Sequence, residues 1–391
     1  MNSTSKLLIY SAVLFSVSCT QPSDMLTVIS SDGSCYREFT ANANPQFLSG
    51  DTVGKGNPFP VDIDSTWKIT WKLKNSTLQS TWPVKKTVVD SIVKSMSKTT
   101  ESKIQGKAVQ SSGELTVYAR QNYASVKEMD TQFKFRRSNS WSNLEVKHLL
   151  DTRFRWFYTY YTYKETYPKL KTGFSIPIEK FLTKDEAMFW FTGKPDILKG
   201  MNGVEIREYV GTIEDNFHKW FNKNLWDSEY KVLLENYDNI SQLQVSKDRL
   251  KGLKDTIFNA KVDKVEDFKM EQILDSYFKT TVFTTFWKTD NCPMVKFESD
   301  FNDQGFVEYF KEAFTYKLIM PGVVTGQNNA VVHGDTLVWN LTAYRMIPAP
   351  YVIEAQSRKA NIWAFILTGI IFIVAIGSFI RKPGKGSLPS S

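Results

Sequence analysis

From Ile362 to Ile380 the chain runs for nineteen residues without a charge, as "IWAFILTGIIFIVAIGSFI". At 1.5 Å per residue a helix of that length covers roughly the 30 Å hydrocarbon core of a bilayer. A helix buried in a soluble core rarely goes so long without a polar residue. The run therefore predicts a transmembrane helix over residues 360–381. Trp363 stands where an interfacial aromatic anchor belongs, and Arg381, Lys382 and Lys385 follow the span. Whatever else folds must fold as a body attached to that helix, with residues 382–391 left as a short basic tail.

The other end reads as a secretory signal. Lys6 precedes an eleven-residue apolar stretch, Leu7–Val17, too short to cross a bilayer as a mature helix. Ser16 and Ser18 place small residues before the Ser18–Cys19 bond, so residues 1–18 read as a signal peptide. A plain signal-peptidase cut at that bond is one reading. The stretch "SVSC" also resembles the lipobox of bacterial envelope lipoproteins, with Ser16 where that pattern has Leu. The resemblance implies that Cys19 is a lipidation site, acylated through its thiol.

Cysteine usage bears on the same point. The chain has Cys19, Cys35 and Cys292. With Cys19 acylated, Cys35 and Cys292 remain as a candidate disulfide in an oxidising compartment. Such a bond would close a long loop and could contribute roughly 4–5 kcal/mol in the chain-entropy model. The chain lacks CxxC spacing and has only three histidines, His148, His218 and His333, so no metal site or cofactor is expected.

Charge excludes one function class. The net charge of +8 comes mostly from Lys6, Arg358, Lys359, Arg381, Lys382 and Lys385, in end segments without Asp or Glu. The part between is nearly balanced, so the basicity belongs to membrane flanks and a nucleic-acid partner is not expected. The bias across the span is too weak to orient it. The signal peptide does so instead, because an exported chain meets the apolar run as a stop-transfer. The expected location is the inner membrane, with the ectodomain in the periplasm and the tail cytoplasmic.

Along the ectodomain, "MLTVISSDGSCYREFTA" reads as two strands around the turn Ser31–Gly33. "STWKITWKLKN" alternates, with Trp67, Ile69 and Trp71 on one face. Residues 83–98 switch to a helical period through Val84, Val88, Val89, Ile92, Val93 and Met96, with Pro83 suited to a first turn. "GELTVYARQ" and "TQFKFRR" read as strands. "RFRWFYTYYTYKETY" is aromatic on both faces of a strand, which predicts a strand covered on both sides or, as the less favoured reading, a ligand platform.

Residues 177–288 differ in kind. Thr183 and Glu186 make a capping box before "AMFWF", and Gly193 can end that helix. A long helix starts near Val204 with Ile206, Val210, Ile213, Phe217 and Trp220 on one stripe. Leu250, Leu253 and Ile257 mark another helix, and Phe268, Ile273, Leu274, Tyr277 and Phe278 a third. Strands are expected to resume at "CPMVKFESDF", then "AFTYKLIMPG" with Phe314, Tyr316, Leu318 and Met320 inward, and finally "HGDTLVWNLTAY". The expected fold class is α+β: an antiparallel sheet domain (19–176 and 289–357) interrupted by an inserted helical subdomain (177–288), plus one C-terminal transmembrane helix.

The "DGS" turn and the "GDTLVWNL" strand before a C-terminal span resemble the LppM-like group of bacterial lipoproteins over about a tenth of the chain. That resemblance implies an envelope location and transfers no site residues. No nucleotide-loop, nucleophile-elbow or metalloprotease pattern occurs. The expected function is therefore a non-enzymatic, membrane-anchored envelope lipoprotein whose ectodomain binds or scaffolds a partner protein, most readily through the helical insertion. The alternative is a membrane-bound hydrolase of glycan or lipid using a carboxylate pair near the aromatic strand.

Overall fold

A computed structural model describes residues 23–53, 56–74, 76–101, 115–136, 144–262, 268–304 and 313–380. Residues 1–18, read above as a signal peptide, Cys19 and the tail 382–391 lie outside the described residues. In chain order the elements are β1 (Ser23–Ile29), β2 (Cys35–Asn42), α1 (Pro45–Leu48), β3 (Lys68–Leu73), α2 (Lys86–Glu101), β4 (Leu115–Tyr123), α3 (Val126–Gln132), β5 (Lys147–Phe154) and β6 (Tyr158–Tyr167). Then come α4 (Lys184–Thr192), α5 (Gly203–Glu235), α6 (Lys247–Lys261), α7 (Met270–Phe278), α8 (Val282–Trp287) and α9 (Pro293–Gln304). The chain returns to strands with β7 (Ala313–Ile319), β8 (Val323–Gln327), β9 (Val331–His333), β10 (Thr336–Thr342) and β11 (Tyr351–Ala360), and ends in α10 (Ile362–Ile380).

The strands form two sheets, in the orders β3-β4-β2-β1-β7-β10-β9 and β5-β6-β11-β8. All pairs are antiparallel except β1 with β7, which run parallel and join the start of the chain to its later part. Alternation decides which face is buried. In β2 Cys35, Phe39 and Ala41 point inward, and in β7 Phe314, Tyr316 and Leu318 do the same, as the spacing of the apolar residues predicts. The second sheet turns Tyr161, Tyr163 and Tyr167 inward from β6 and Tyr351, Ile353 and Ala355 from β11. The inner faces share one hydrophobic cluster, so the sheets form a sandwich. At Gly322, where the chain passes from β7 to β8 and so from one sheet to the other, φ is +79 and a Cβ would run into the Arg358 carbonyl.

Several local expectations hold. Thr183 and Glu186 form the capping box of α4, and Gly193 closes it in the left-handed conformation. The helix after Asn202 runs for 33 residues, with Ile213, Phe217 and Trp220 buried. Others are overturned. "CPMVKFESDF" is not a strand: Pro293–Gln304 is helical, with Met294 buried and Phe297 stacked on Phe301 one turn later. Of "TQFKFRR", Thr131 and Gln132 end α3, while Phe133 and Phe135 are buried in an extended segment outside any sheet. Pro83 precedes α2 and follows a cis bond. Strand β11, unread in the sequence, sits inside the second sheet between β6 and β8 and leads directly into α10.

The buried hydrophobic residues form two clusters. The first joins the sheets, α4 and the first half of α5, including Ile178, Phe191, Phe217 and Trp220. The second joins the last part of α5 to α6–α9, from Trp226 to Met294. The proposed Cys35–Cys292 disulfide is absent: both cysteines are free and buried. The reason is visible in the clusters. Cys35 begins β2 within the sandwich, whereas Cys292 lies in the second cluster, ahead of α9. The late strand that meets β1 is β7, which starts at Ala313, so Cys292 never joins the sheet.

Candidate functional site

The four-stranded sheet has three chemically distinct surfaces: a sealed inner face, an open outer face and an aromatic foot on α10. The inner face follows from strand parity. Arg37 occupies an inward position of β2 and Glu165 an inward position of β6, so they face each other across the sandwich, each with 0% of its side chain exposed. Arg37 Nη2 donates to Glu165 Oε2 at 2.7 Å, and Arg37 Nε donates to Thr27 Oγ1 at 3.1 Å. Tyr163 and Tyr316 donate to Glu165 Oε2 at 2.8 and 2.7 Å, and Tyr167 donates to Oε1 at 2.5 Å. The guanidinium also lies 4.4 Å from the centre of the Phe133 ring.

Burial alone would raise the Glu165 carboxyl, but the Arg37 guanidinium outweighs it and holds the group well below the usual carboxylate range. The same burial, and then the Glu165 charge, push the Tyr163, Tyr167 and Tyr316 phenols up. His148, on β5, completes the cluster. Its Nε2 lies 3.2 Å from Arg37 Nη1. The same nitrogen lies 3.5 Å from Glu165 Oε1. Among the described residues Nδ1 has no hydrogen-bond partner; it faces Asp130 Oδ1 at 3.5 Å, while the His148 backbone N–H donates to that oxygen at 2.6 Å. A network this enclosed admits no substrate. What it can do is fix the registration of one sheet on the other, since a one-residue slip would turn Arg37 or Glu165 outward.

The outer face forms an open groove of about 900 Å³, lined by Leu149, Asp151 and Arg153 of β5, Tyr160, Thr162 and Lys164 of β6, and Glu354 and Gln356 of β11, with Arg155 at one end. Four of its charges are paired. Arg153 Nε donates to Asp151 at 2.7 Å, and Lys164 lies 3.1 Å from Glu354. The hydrogen bond from Lys164 holds the Glu354 carboxyl below its ordinary value. Such a surface can hold a polar ligand through ion pairs. It offers no carboxyl poised as an acid, and among the described residues no three metal-ligating side chains converge.

The foot is the tip of the β5–β6 hairpin. The expectation of a strand covered on both sides is not met: in its far half Tyr161, Tyr163 and Tyr167 are buried on one face, while Thr162 and Lys164 line the open groove on the other. The near half is a turn, and its rings lie on the helix. Phe154 stacks on Trp363 with centroids 6.3 Å apart, Trp156 meets Trp363 edge-on at 5.3 Å, and Phe157 lies 4.7 Å from Phe365. Trp156 Nε1 donates to Thr368 Oγ1 at 2.9 Å. Only Asn361 separates β11 from α10. Its side-chain amide donates to the Arg155 carbonyl at 2.8 Å, its backbone N–H donates to the Phe157 carbonyl at 2.9 Å, and its side-chain oxygen accepts from Thr159 Oγ1 at 3.0 Å.

Cys19, the proposed lipidation residue, lies outside the described residues. Cys35 lies at the edge of the ionic cluster, where burial pushes its thiol up to about 11 against the opposing Arg37 charge, so it is a poor nucleophile. Sequence reading missed Arg37, Glu165 and His148. The signal was there for the first two: a charge on the same parity as buried residues in "CYREFTA" and "YTYKETY". No family model matches the chain, and neither a curated protein nor a solved structure matches it.

Proposed function

We propose that the chain is a membrane-anchored envelope protein whose strand-rich ectodomain binds or scaffolds a partner protein, without catalysis. The observation that carries this reading is α10. It is uncharged over nineteen residues, only 6% of Ile362–Phe379 is buried, and one residue joins it to the sandwich. An apolar helix left so bare needs a nonaqueous environment. The lipobox-like "SVSC" supports a second anchor at Cys19, with the inner membrane as the site, the ectodomain in the periplasm and residues 382–391 in the cytosol. For the partner surface we favour the proposed helical insertion. From Trp226 onward it has a hydrophobic cluster of its own, while Ile178, Phe191, Phe217 and Trp220 join its first part to the sheets.

The hydrolase alternative needs one carboxyl held above its ordinary value beside a second carboxylate. Among the described residues the carboxyls that depart from their ordinary values are all lowered, including Glu165, Glu186, Asp255 and Glu354. Nothing in the geometry favours that reading. Fractionation of cells expressing the full chain with a C-terminal tag tests the proposal. We expect the protein in the alkali-resistant membrane pellet, the tag shielded from external protease and the ectodomain cleaved once the outer membrane is opened. Release by alkali, or a tag digested from outside, would overturn it.

A further inference from the structure

Phe154, Trp156 and Phe157 are 58%, 45% and 37% exposed, at a hairpin tip where water-facing chains favour Gly, Asn, Asp and Ser. They line the first two turns of α10, down to the Trp156–Thr368 hydrogen bond. Thr368 lies about 9 Å along the axis from Ile362 at 1.5 Å per residue. The uncharged helix is only about as long as the hydrocarbon core is thick. It has no turn to spare above the membrane, so whatever lies beside its first turns is in the leaflet with it.

The tip is also prepared for a site without water, where unmade backbone hydrogen bonds are costly. Asn361 donates to the carbonyls of Arg155, Trp156 and Phe157, and the Arg155 N–H donates to the Tyr158 carbonyl at 2.8 Å. Cations surround this end of the sheet. Arg153 has 73% of its side chain exposed, Arg155 is exposed between two of the rings, Arg358 packs 4.9 Å over Tyr158, and Lys359 donates to Ser31 Oγ at 2.9 Å. The nearby acids are Asp151, paired with Arg153, and Asp32, which feels Lys359. The excess is positive, and long basic side chains reach from an apolar level to headgroups.

We infer that the β5–β6 hairpin tip is a second membrane-inserted element, which enters the leaflet beside α10 while Arg153, Arg155, Arg358 and Lys359 engage the phosphates of anionic phospholipids. This rests on α10 spanning the bilayer. The bilayer is the occupant because the aromatic patch is continuous with the apolar helix and carries the charge that anionic headgroups complement.

The test uses the full-length chain with Cys19→Ala, in vesicles of phosphatidylcholine and phosphatidylglycerol. Nitroxides are attached singly at Phe157→Cys, Leu367→Cys and Val53→Cys, and their collisions with oxygen and with a water-soluble nickel chelate are compared. Labels at 157 and 367 should favour oxygen, and the label at 53 should favour the chelate. A label at 367 in lipid with one at 157 in water overturns the inserted tip alone. A label at 367 in water removes the span on which the tip depends. Spin–spin broadening at 157 would mean a second copy covers the tip and would also overturn the inference. Spin-labelled phosphatidylglycerol should associate with the protein roughly twofold or more over phosphatidylcholine. Arg153→Gln combined with Arg155→Gln should reduce that preference. Equal association with the unsubstituted chain refutes the headgroup contact.

Discussion

Arg37 and Glu165 meet without solvent exposure between the two sheets, whereas the ion pairs of the helical region sit at its rim. There Lys223 reaches Asp227 at 2.7 Å and Asp255 at 2.8 Å, and Lys254 reaches Asp227 at 2.9 Å, with Asp255 69% exposed. Behind that rim the helices pack through Trp226, Leu250, Leu274 and Phe283. The seam between the regions lies within α5, where the fully buried Asn224 accepts from the Ile176 N–H at 2.9 Å and donates to the Ile176 carbonyl at 3.1 Å. The contrast teaches how each region specifies its shape. A buried ion pair adds little net stability but penalises every misregistered sheet. An apolar helical core tolerates substitution as long as volume is kept.

The sharpest way to break that comparison is Glu165→Ala, which strands Arg37 in the core. We expect a loss of about 3–5 kcal/mol, read by chemical unfolding of the full chain in detergent. Arg37→Met combined with Glu165→Gln, whose amide oxygen can still accept from the tyrosine hydroxyls, should recover part of it; a loss as large as that of Glu165→Ala would show that the pair is not the unit. Next in size, Leu274→Ala should cost about 2–4 kcal/mol, with faster hydrogen exchange confined to residues 226–304. Faster exchange across β1, β2 and β7 as well would merge the two cores into one.

Acid should separate the regions further. The folded-state value of Glu165 is depressed, so its contribution is full above the unfolded carboxyl value near 4.5 and is lost as pH falls from there toward the folded value. The sandwich should weaken between about pH 4.5 and 2. Glu165→Gln should flatten that dependence, and an unchanged slope would assign it to other groups. The smallest effect belongs to Asp255→Asn. A hydrogen bond from Lys223 lowers this carboxyl, yet the side chain is largely exposed, so the change should stay within about 0.5 kcal/mol and shrink with salt.

What the sequence disclosed was local. Thr183, Glu186 and Gly193 carry a helix start and stop within eleven residues, and Phe314, Tyr316 and Leu318 carry strand parity within five. Where periods conflict, locality fails. In Pro293–Gln304 the alternation of Val295 and Phe297 imitates a strand, but Met294, Phe297 and Phe301 follow the helical period, and Phe301 packs near Phe174 and Phe221. Strand β11 escaped because its inward side fades from Tyr351 and Ile353 to Ala355 and Ser357, so only its partners β6 and β8 make it a strand. The ionic cluster joins residues 128 positions apart, a pairing that only the sheet arrangement creates.

One residue, Asn361, stands between a strand and a helix and is hydrogen-bonded on both its backbone and its side chain. Many membrane proteins hang their soluble parts on slack tethers that average out orientation. Here a single hydrogen-bonded residue stands in place of such a tether. If α10 crosses the bilayer as proposed, its tilt is handed directly to the sandwich, and helices adjust tilt to membrane thickness. The protein would then behave as a rigid lever with its fulcrum in the lipid, and the height and bearing of the outer groove would follow the thickness of the membrane beneath it.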